Sequence, residues 1–375
     1  MGRKMNLRRW KLRWVMLFLV VSACVEPIYF EVPPAELQLV VEGMITDSPG
    51  PYTVTLSKGL ALDSKSSLPM PVQNAKVTLF DDEGNSEIFT ETTAGTYTSS
   101  NIIQGQVGHT YYIRVETSDG KIFESTPDKI NQVGEIEEIR FEFEARTTIK
   151  PYGEIVADVF NIYVDSDAGA EEDAYVRWRF TGTFEVFTYP ELHTIWTPPY
   201  TPYKAPEPCS GYILIGGPNG GKLLKVDECA CCTCWVNAFE VAPQLSDTKL
   251  IGNNQFKNIK VGEVPITPTN FHKRYQVNVE QMSLSKNAFD FFKLIRAQKE
   301  GASSLFQPPS GEINGNMNPV NNSESVLGFF WASSVKKKSI FIERSDIPYL
   351  ITPMDSITHA CTNYPFSTTQ KPNGW

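Results

Sequence analysis

Short runs of alternating apolar and polar side chains, separated by turn residues, dominate residues 37–125. A period of two places successive side chains on opposite faces, which is typical of strands with one buried face. Asp119-Gly120 directly follows such a run and is a strong hairpin signal. Because this stretch has no helical period, we predict an N-terminal β-sandwich over residues 37–132, of immunoglobulin or transthyretin type. The clearest runs are 52–56, 75–80 and 110–115.

The rest of the chain, residues 133–375, also consists mainly of strand-like runs and is predicted to be a second, larger β-rich domain. One helix is expected near 286–300, since Ser285 can cap its start and Gly301 can end it. Its apolar side chains recur at helical spacing, at Phe289, Phe292 and Ile295. The predicted class is therefore mainly β with one helix.

The first 23 residues have the features of a bacterial secretory signal. Six Lys and Arg residues precede the apolar run 14–21, and Val21-Ser22-Ala23 leads into Cys24. This run is shorter than the ~20 residues that span a bilayer. Ala23-Cys24 looks like a lipobox, which predicts cleavage before Cys24, lipid on its thiol and a tether over 24–36. An ordinary signal peptide with an incidental cysteine is the alternative.

The charge of the chain limits its partners. The net charge is −9, and removal of the six basic residues of the signal leaves −15. Nucleic-acid binding needs a concentrated basic face, so we expect none. The negative charge also disfavours binding to anionic membrane lipids, so the lipid predicted on Cys24 has to hold the protein on the membrane. The face of the membrane that holds the lipid is left open.

The remaining cysteines predict disulfides, because an even number in an exported protein is typical of a disulfide framework. In an extended segment, adjacent cysteines face opposite ways and cannot readily bridge, so three bridges would need one strained bond within the cluster 229–234. A thiolate site for Zn²⁺ or Cu⁺ is the alternative, although two spaced cysteine pairs are lacking. No metal or other cofactor is predicted. The six residues are Cys209, Cys229, Cys231, Cys232, Cys234 and Cys361.

Aromatic side chains are concentrated among the prolines of residues 184–208. On a proline-stiffened loop they can form a contact surface for a sugar, a peptide or a protein. The alternative is that they cover the sheet beneath them. The candidates are Phe187, Tyr189, Trp196, Tyr200 and Tyr203.

The glycine-rich stretch 216–222 resembles a phosphate-binding loop but has Leu223 where Ser or Thr would hold Mg²⁺. We expect a β-hairpin there instead. The four histidines are scattered and none of the common hydrolase motifs occurs, so we expect no enzyme activity. Glycosidases use a pair of carboxylates, and an acidic chain offers many such pairs, so glycosidase activity stays open but has no positive support in the sequence.

Several segments together resemble a family of Bacteroidota outer-membrane lipoproteins, catalogued as domain of unknown function 4249. The resemblance implies a lipoprotein with β-rich domains, often encoded beside TonB-dependent transporters, and it brings no activity or catalytic residue. The cysteine cluster 229–234 is denser than we expect of that family. The segments are 39–47, 50–57, 119–121, 124–127, 283–293, 304–309 and 315–330.

These observations predict a non-catalytic binding or accessory module, serving a TonB-dependent transporter or a surface assembly, with an unknown ligand. The alternative is a structural envelope protein stiffened by disulfides. A hydrolase is a third, weaker hypothesis.

Overall fold

A computed structural model describes residues 37–59, 69–151, 153–169, 174–197, 201–217, 221–246, 251–252, 255–301, 313–321, 323–351 and 356–375. The predicted signal peptide, its Cys24 and the tether lie outside these residues. The described chain is mainly β, which confirms the predicted class.

The first strands follow the runs predicted from the sequence. They are β1 (Leu39–Thr46), β2 (Thr53–Lys58), β3 (Met70–Pro71), β4 (Lys76–Asp81), β5 (Ser86–Ile88), β6 (Thr90–Thr93), β7 (Thr96–Thr98), β8 (Thr110–Glu116), β9 (Ile122–Ser125) and β10 (Asp128–Lys129).

The later strands up to the helix are β11 (Ile136–Glu144), β12 (Thr147–Lys150), β13 (Gly153–Val156), β14 (Val159–Asp167), β15 (Val176–Phe187), β16 (Thr194–Thr197), β17 (Thr201–Lys204), β18 (Tyr212–Ile215), β19 (Lys222–Lys225), β20 (Thr233–Phe239), β21 (Gln244–Leu245), β22 (Ile251–Gly252), β23 (Gln255–Pro265) and β24 (Arg274–Ser283). Helix α1 (Lys286–Gly301) and strands β25 (Met317–Pro319), β26 (Val326–Ser333), β27 (Val335–Glu343) and β28 (Ser367–Thr368) complete the order. Single 3₁₀ turns lie at Pro190–Leu192, Pro208–Ser210, Arg344–Asp346 and Cys361–Asn363.

Two sheets share the first hydrophobic core. One has the order β26-β1-β2-β7-β6 with β3 on β2, and the other has the order β25-β9-β8-β4-β5 with β10 on β8. Buried side chains such as Val54 from the first sheet and Ile113 from the second belong to the same cluster. The chain therefore forms a β-sandwich here, and its immunoglobulin or transthyretin type stays a prediction.

Two strands of this sandwich come from the end of the chain. Strand β26 runs parallel to β1, with Leu39 opposite Val326 and Thr46 opposite Ser333. Strand β25 pairs with β9. The sequence analysis placed both in the second region, and the structure corrects this because their hydrogen bonds and core side chains belong to the first sandwich. The apolar run 326–332 indicated β26, but β25 was not predicted and the sequence carried no information about the partners of either strand.

Glycine allows β25, β26 and β1 to approach closely. Gly328 has φ +102°, and a Cβ there would lie 1.9 Å from the carbonyl oxygen of Val41. The Asn316 side chain completes the contact: its Nδ2 donates to the Phe330 carbonyl at 2.6 Å, and its Oδ1 accepts from the Phe330 N–H at 2.9 Å.

A second sandwich has a core of its own. Its sheets have the orders β11-β14-β23-β22 and β27-β24-β15-β20-β28, with β21 on β15. Trp178 of one sheet meets Phe256 of the other edge to face, at 5.0 Å between ring centroids. Only Ser334 separates β26 from β27, so the chain passes directly from the first sandwich into the second.

Helix α1 confirms the predicted helix. The Ser285 hydroxyl accepts the Ala288 N–H at 3.2 Å, which is the expected cap. The helix covers the outer face of β26, where Phe292 meets Trp331 at 5.1 Å between ring centroids. Strand β26 is therefore apolar on both faces, since its alternate residue Phe330 lies in the sandwich core.

Candidate functional site

Three disulfides tie together the region after β15. They join Cys209 to Cys231, Cys229 to Cys232 and Cys234 to Cys361. The cysteines thus form disulfides, the first of the two interpretations.

The expectation of an extended cysteine cluster was wrong. The chain bends at residues 230–232, and strand β20 begins only at Thr233. This bend brings the Cα atoms of Cys229 and Cys232 to 5.7 Å, within the range that a disulfide spans. The sequence argument failed because it assumed extended backbone along the whole cluster.

Backbone hydrogen bonds fix this bend to three other segments. The Thr188 N–H, at the end of β15, donates to the Cys232 carbonyl at 2.8 Å. The Ala230 N–H donates to Cys209, and the Cys361 N–H donates to Cys231, both at 2.9 Å. We call residues 229–232 with these attachments the disulfide corner.

Two separate hairpins, β16–β17 and β18–β19, arise beside this corner. Their bases are joined, because the turns at Pro190–Leu192 and Pro208–Ser210 contact each other and the Glu207 N–H donates to Pro190 at 3.0 Å. The second hairpin confirms the prediction made for the glycine-rich stretch. The first corrects the expected loop: Pro202, which has no N–H, stands opposite Trp196 in a two-stranded sheet where a missing donor is tolerated.

The predicted aromatic residues lie on or beside the first hairpin. Trp196 is 64% exposed, Phe187 and Tyr189 are exposed, and Tyr203 is half-buried. Tyr200 lies outside the described residues. The ring of Phe187 meets Tyr189 edge to face at 5.1 Å between centroids.

The sequence analysis missed the apolar side chains of the second hairpin. Ile213, Ile215, Leu224 and Val226 are each between 46% and 55% exposed. Ile213 and Leu224 are direct cross-strand partners. A signal was present, because seven of the eight residues in the runs 212–215 and 223–226 are apolar. We define the hairpin surface as Phe187, Tyr189, Trp196, Ile213, Ile215, Leu224 and Val226; Ile195 precedes Trp196 in β16 and projects from the opposite face.

Few charges accompany the hairpin surface. Lys225 Nζ lies 2.7 Å from the Glu228 carboxylate, and this ion pair raises the pKa of Lys225. Lys204 and Lys222 are exposed at the strand ends. The surface is thus mainly apolar, and the charges beside it are of both signs, since Asp227 and Glu228 are exposed as well.

A cleft of about 740 Å³ lies where β1, the segment after β10 and the passage from β26 to β27 meet. Its polar groups bind one another. The Asp47 carboxylate accepts from the Ser334 hydroxyl at 2.5 Å and from the Val335 N–H at 2.8 Å. Lys336 Nζ lies 2.7 Å from Glu135, which raises the pKa of the lysine. The hairpin surface is the better candidate because its apolar side chains are exposed, whereas the polar groups of the cleft are paired with one another.

Within the described ranges, no group of three or more His, Cys, Asp or Glu residues is arranged to hold a metal ion. In the same ranges, no helix has the length and apolar character needed to cross a membrane.

Comparison with known proteins gives a family and little else. No curated protein matches the chain. A crystal structure of a protein from Corynebacterium diphtheriae, described as membrane anchored, is 13% identical and covers 67% of this chain, with a TM-score of 0.17. The match covers 56% of that protein, and at this TM-score it supports no conclusion. The family model for the domain of unknown function DUF4249 matches residues 25–339. The chain therefore belongs to the DUF4249 family.

Proposed function

We propose that this protein is a lipid-anchored, non-catalytic binding module of the bacterial outer membrane, and that its hairpin surface binds a TonB-dependent transporter. The single observation that carries the proposal is the exposure of apolar side chains on two hairpins that pair with no third strand among the described residues.

The hairpin surface has the character of an interface. An isolated two-stranded hairpin is marginally stable in water, and clustered exposed apolar side chains mark binding sites more often than scattered ones do. Aromatic residues such as Trp196 and Tyr189 are enriched at protein interfaces. A protein partner would remove this apolar area from water, which is the main driving force of association.

The disulfide corner prepares the surface for binding. Cys209–Cys231 joins the start of the second hairpin to the bend, and the hydrogen bond from Thr188 joins the bend to β15. The backbone beneath the hairpins is thus held before a partner arrives. Association then loses less conformational entropy than it would with flexible loops.

In this proposal the lipid anchor is attached to Cys24. Cleavage before this residue and acylation would leave the tether of residues 24–36 between the lipid and β1. Metabolic labelling with a palmitate analogue tests this, with Cys24→Ser as the unlabelled control. Equal labelling of the two chains would rule out Cys24 as the acylated residue.

Crosslinking in native membranes with Cys24 intact, followed by affinity capture and mass spectrometry, tests the partner. We expect one TonB-dependent transporter in near-equal amount. Trp196→Ala with Ile213→Ser removes two side chains of the hairpin surface. If Trp196 is a central contact, its loss costs about 2 kcal/mol, which is about a thirtyfold weaker Kd.

Ile102→Ser is the matched control, because Ile102 is an exposed apolar residue of the first sandwich, 76% accessible. This variant should capture the transporter as the wild type does. Undiminished capture by the hairpin double variant would refute the role of the surface. Capture of envelope scaffold proteins in place of a transporter would support the alternative, a structural protein stiffened by disulfides.

A further inference from the structure

We infer that the Cys229–Cys232 disulfide is a site of thiol–disulfide exchange, reducible in the folded chain by a dithiol protein. The proposed function uses Cys209–Cys231 and the Thr188 hydrogen bond of the same corner, whereas this inference concerns only the Cys229–Cys232 bridge, so either can fail without the other.

The three bridges differ in access. Cys234 and Cys361 are fully buried, so no thiolate can reach them in the folded chain. Cys231 is 2% exposed, whereas Cys229 and Cys232 are both half-buried and reach the surface. Exchange rates depend on which sulfur an attacking thiol can reach.

The leaving group separates Cys229–Cys232 from Cys209–Cys231. Attack on the half-buried Cys209 would expel Cys231 as a thiolate in a buried position, and burying an unpaired charge is costly. Attack on either sulfur of Cys229–Cys232 expels a thiolate that water can reach. This bridge is therefore the one that reacts first.

The bend has links other than this bridge. It joins residues three positions apart, and the hydrogen bonds of Cys232 to Thr188 and of Ala230 to Cys209 hold the same bend. After reduction the two thiols stay close together in the disulfide corner, so the bridge can form again. This arrangement supports repeated exchange in place of a purely structural role.

The reaction balances with a dithiol partner. A thiolate of the partner attacks one sulfur of Cys229–Cys232, forms a mixed disulfide and releases the other cysteine as a thiolate, which takes up a proton. The second thiol of the partner then attacks the mixed disulfide. Two electrons pass to this chain, which becomes the dithiol, and the partner becomes the disulfide.

Reduction of the folded full-length chain tests the inference, with reduced thioredoxin as the dithiol protein and dithiothreitol in a parallel reaction, both without denaturant. Free thiols are alkylated at timed intervals and located by tandem mass spectrometry. We expect Cys229 and Cys232 to be modified about tenfold faster than the four cysteines of the other two bridges. The near-ultraviolet circular dichroism should stay that of the folded protein.

The double variant Cys229→Ser, Cys232→Ser is the control and should lose the fast phase while keeping its fold. Modification of all six cysteines together with loss of tertiary signal would overturn the inference, because reduction would then follow unfolding. Equal rates at Cys209–Cys231, or no fast modification, would overturn it too. Reaction with dithiothreitol but not with thioredoxin would refute exchange with a dithiol protein.

Discussion

Loss of the Cys234–Cys361 disulfide should destabilise the protein far more than loss of Cys229–Cys232. The first bridge joins residues 127 positions apart, and the second joins residues three positions apart. In the chain-entropy treatment, the larger loop stabilises the folded state by about 5 kcal/mol and the smaller by about 2 kcal/mol at 25 °C. The two double alanine variants should thus differ by about 3 kcal/mol in free energy of unfolding.

The native contacts around Cys361 agree with this ranking. Cys361 is fully buried, and the segment after it pairs with β20 through β28 by only two residues. The disulfide is the covalent link between this segment and the sheet, and Phe366 on Phe239 and Trp375 on Phe341 add ring contacts. Without the disulfide, this segment gains conformational entropy in the unfolded chain and is attached more weakly in the folded chain.

Equilibrium urea unfolding without reductant, followed by tryptophan fluorescence, measures the difference. The Cys234→Ala, Cys361→Ala variant should also show a larger m-value, because its unfolded chain exposes more surface. If the Cys229→Ala, Cys232→Ala variant were destabilised equally or more, the loop-entropy reasoning would be refuted.

Three further outcomes follow from the packing and charges. Gly328→Ala should prevent stable folding, because its Cβ would lie 1.9 Å from a carbonyl oxygen of β1. Gly84 also has a positive φ but has nothing within 4 Å of such a Cβ, so Gly84→Ala should lower the melting temperature only slightly. Similar thermal melts for the two variants would contradict this prediction. Asn316→Ala leaves the buried N–H and carbonyl of Phe330 without partners and should lower the free energy of unfolding by about 2 kcal/mol. Urea unfolding measures this, and an unchanged midpoint would show that water replaces the amide. Arg146 lowers the pKa of Glu263 to about 2, so this carboxylate stabilises the fold above its unfolded pKa of about 4.5 and loses that effect as the pH falls toward 2. Because the side chains of Arg146 and Glu263 are both more than a third exposed, Glu263→Gln should lower the free energy of unfolding by less than about 1 kcal/mol at pH 7. If the variant and the wild type still differed by the same amount at pH 2, the link between this carboxylate and the pH dependence of stability would be refuted.

Local features of the sequence predicted the local elements of the fold. The period of two identified β2, β4 and β8, and Asp119-Gly120 identified the turn between β8 and β9. Ser285 marked the start of α1 because a capping hydroxyl acts within one turn of the chain.

Long-range pairings could not be predicted in the same way. Any alternating run can pair with any other, so the sequence does not show that β26 lies beside β1, 287 residues away in register. Six cysteines allow fifteen pairings, and the bend that selects Cys229–Cys232 depends on segments such as Thr188 that are distant along the chain. The exposure of the aliphatic residues of β18 and β19 was missed because it depends on how the rest of the chain packs around the hairpin, which the local sequence does not show.

The pairing of β26 with β1 also determines when the first sandwich can be completed. Synthesis begins at the N-terminus, yet β1 has its second neighbour only after residue 333 has emerged. Until then β1 offers an open edge, where unpaired N–H and carbonyl groups can recruit another chain. The first sandwich to be synthesised is thus completed late, and a fragment that ends before β26 should be prone to edge-to-edge aggregation.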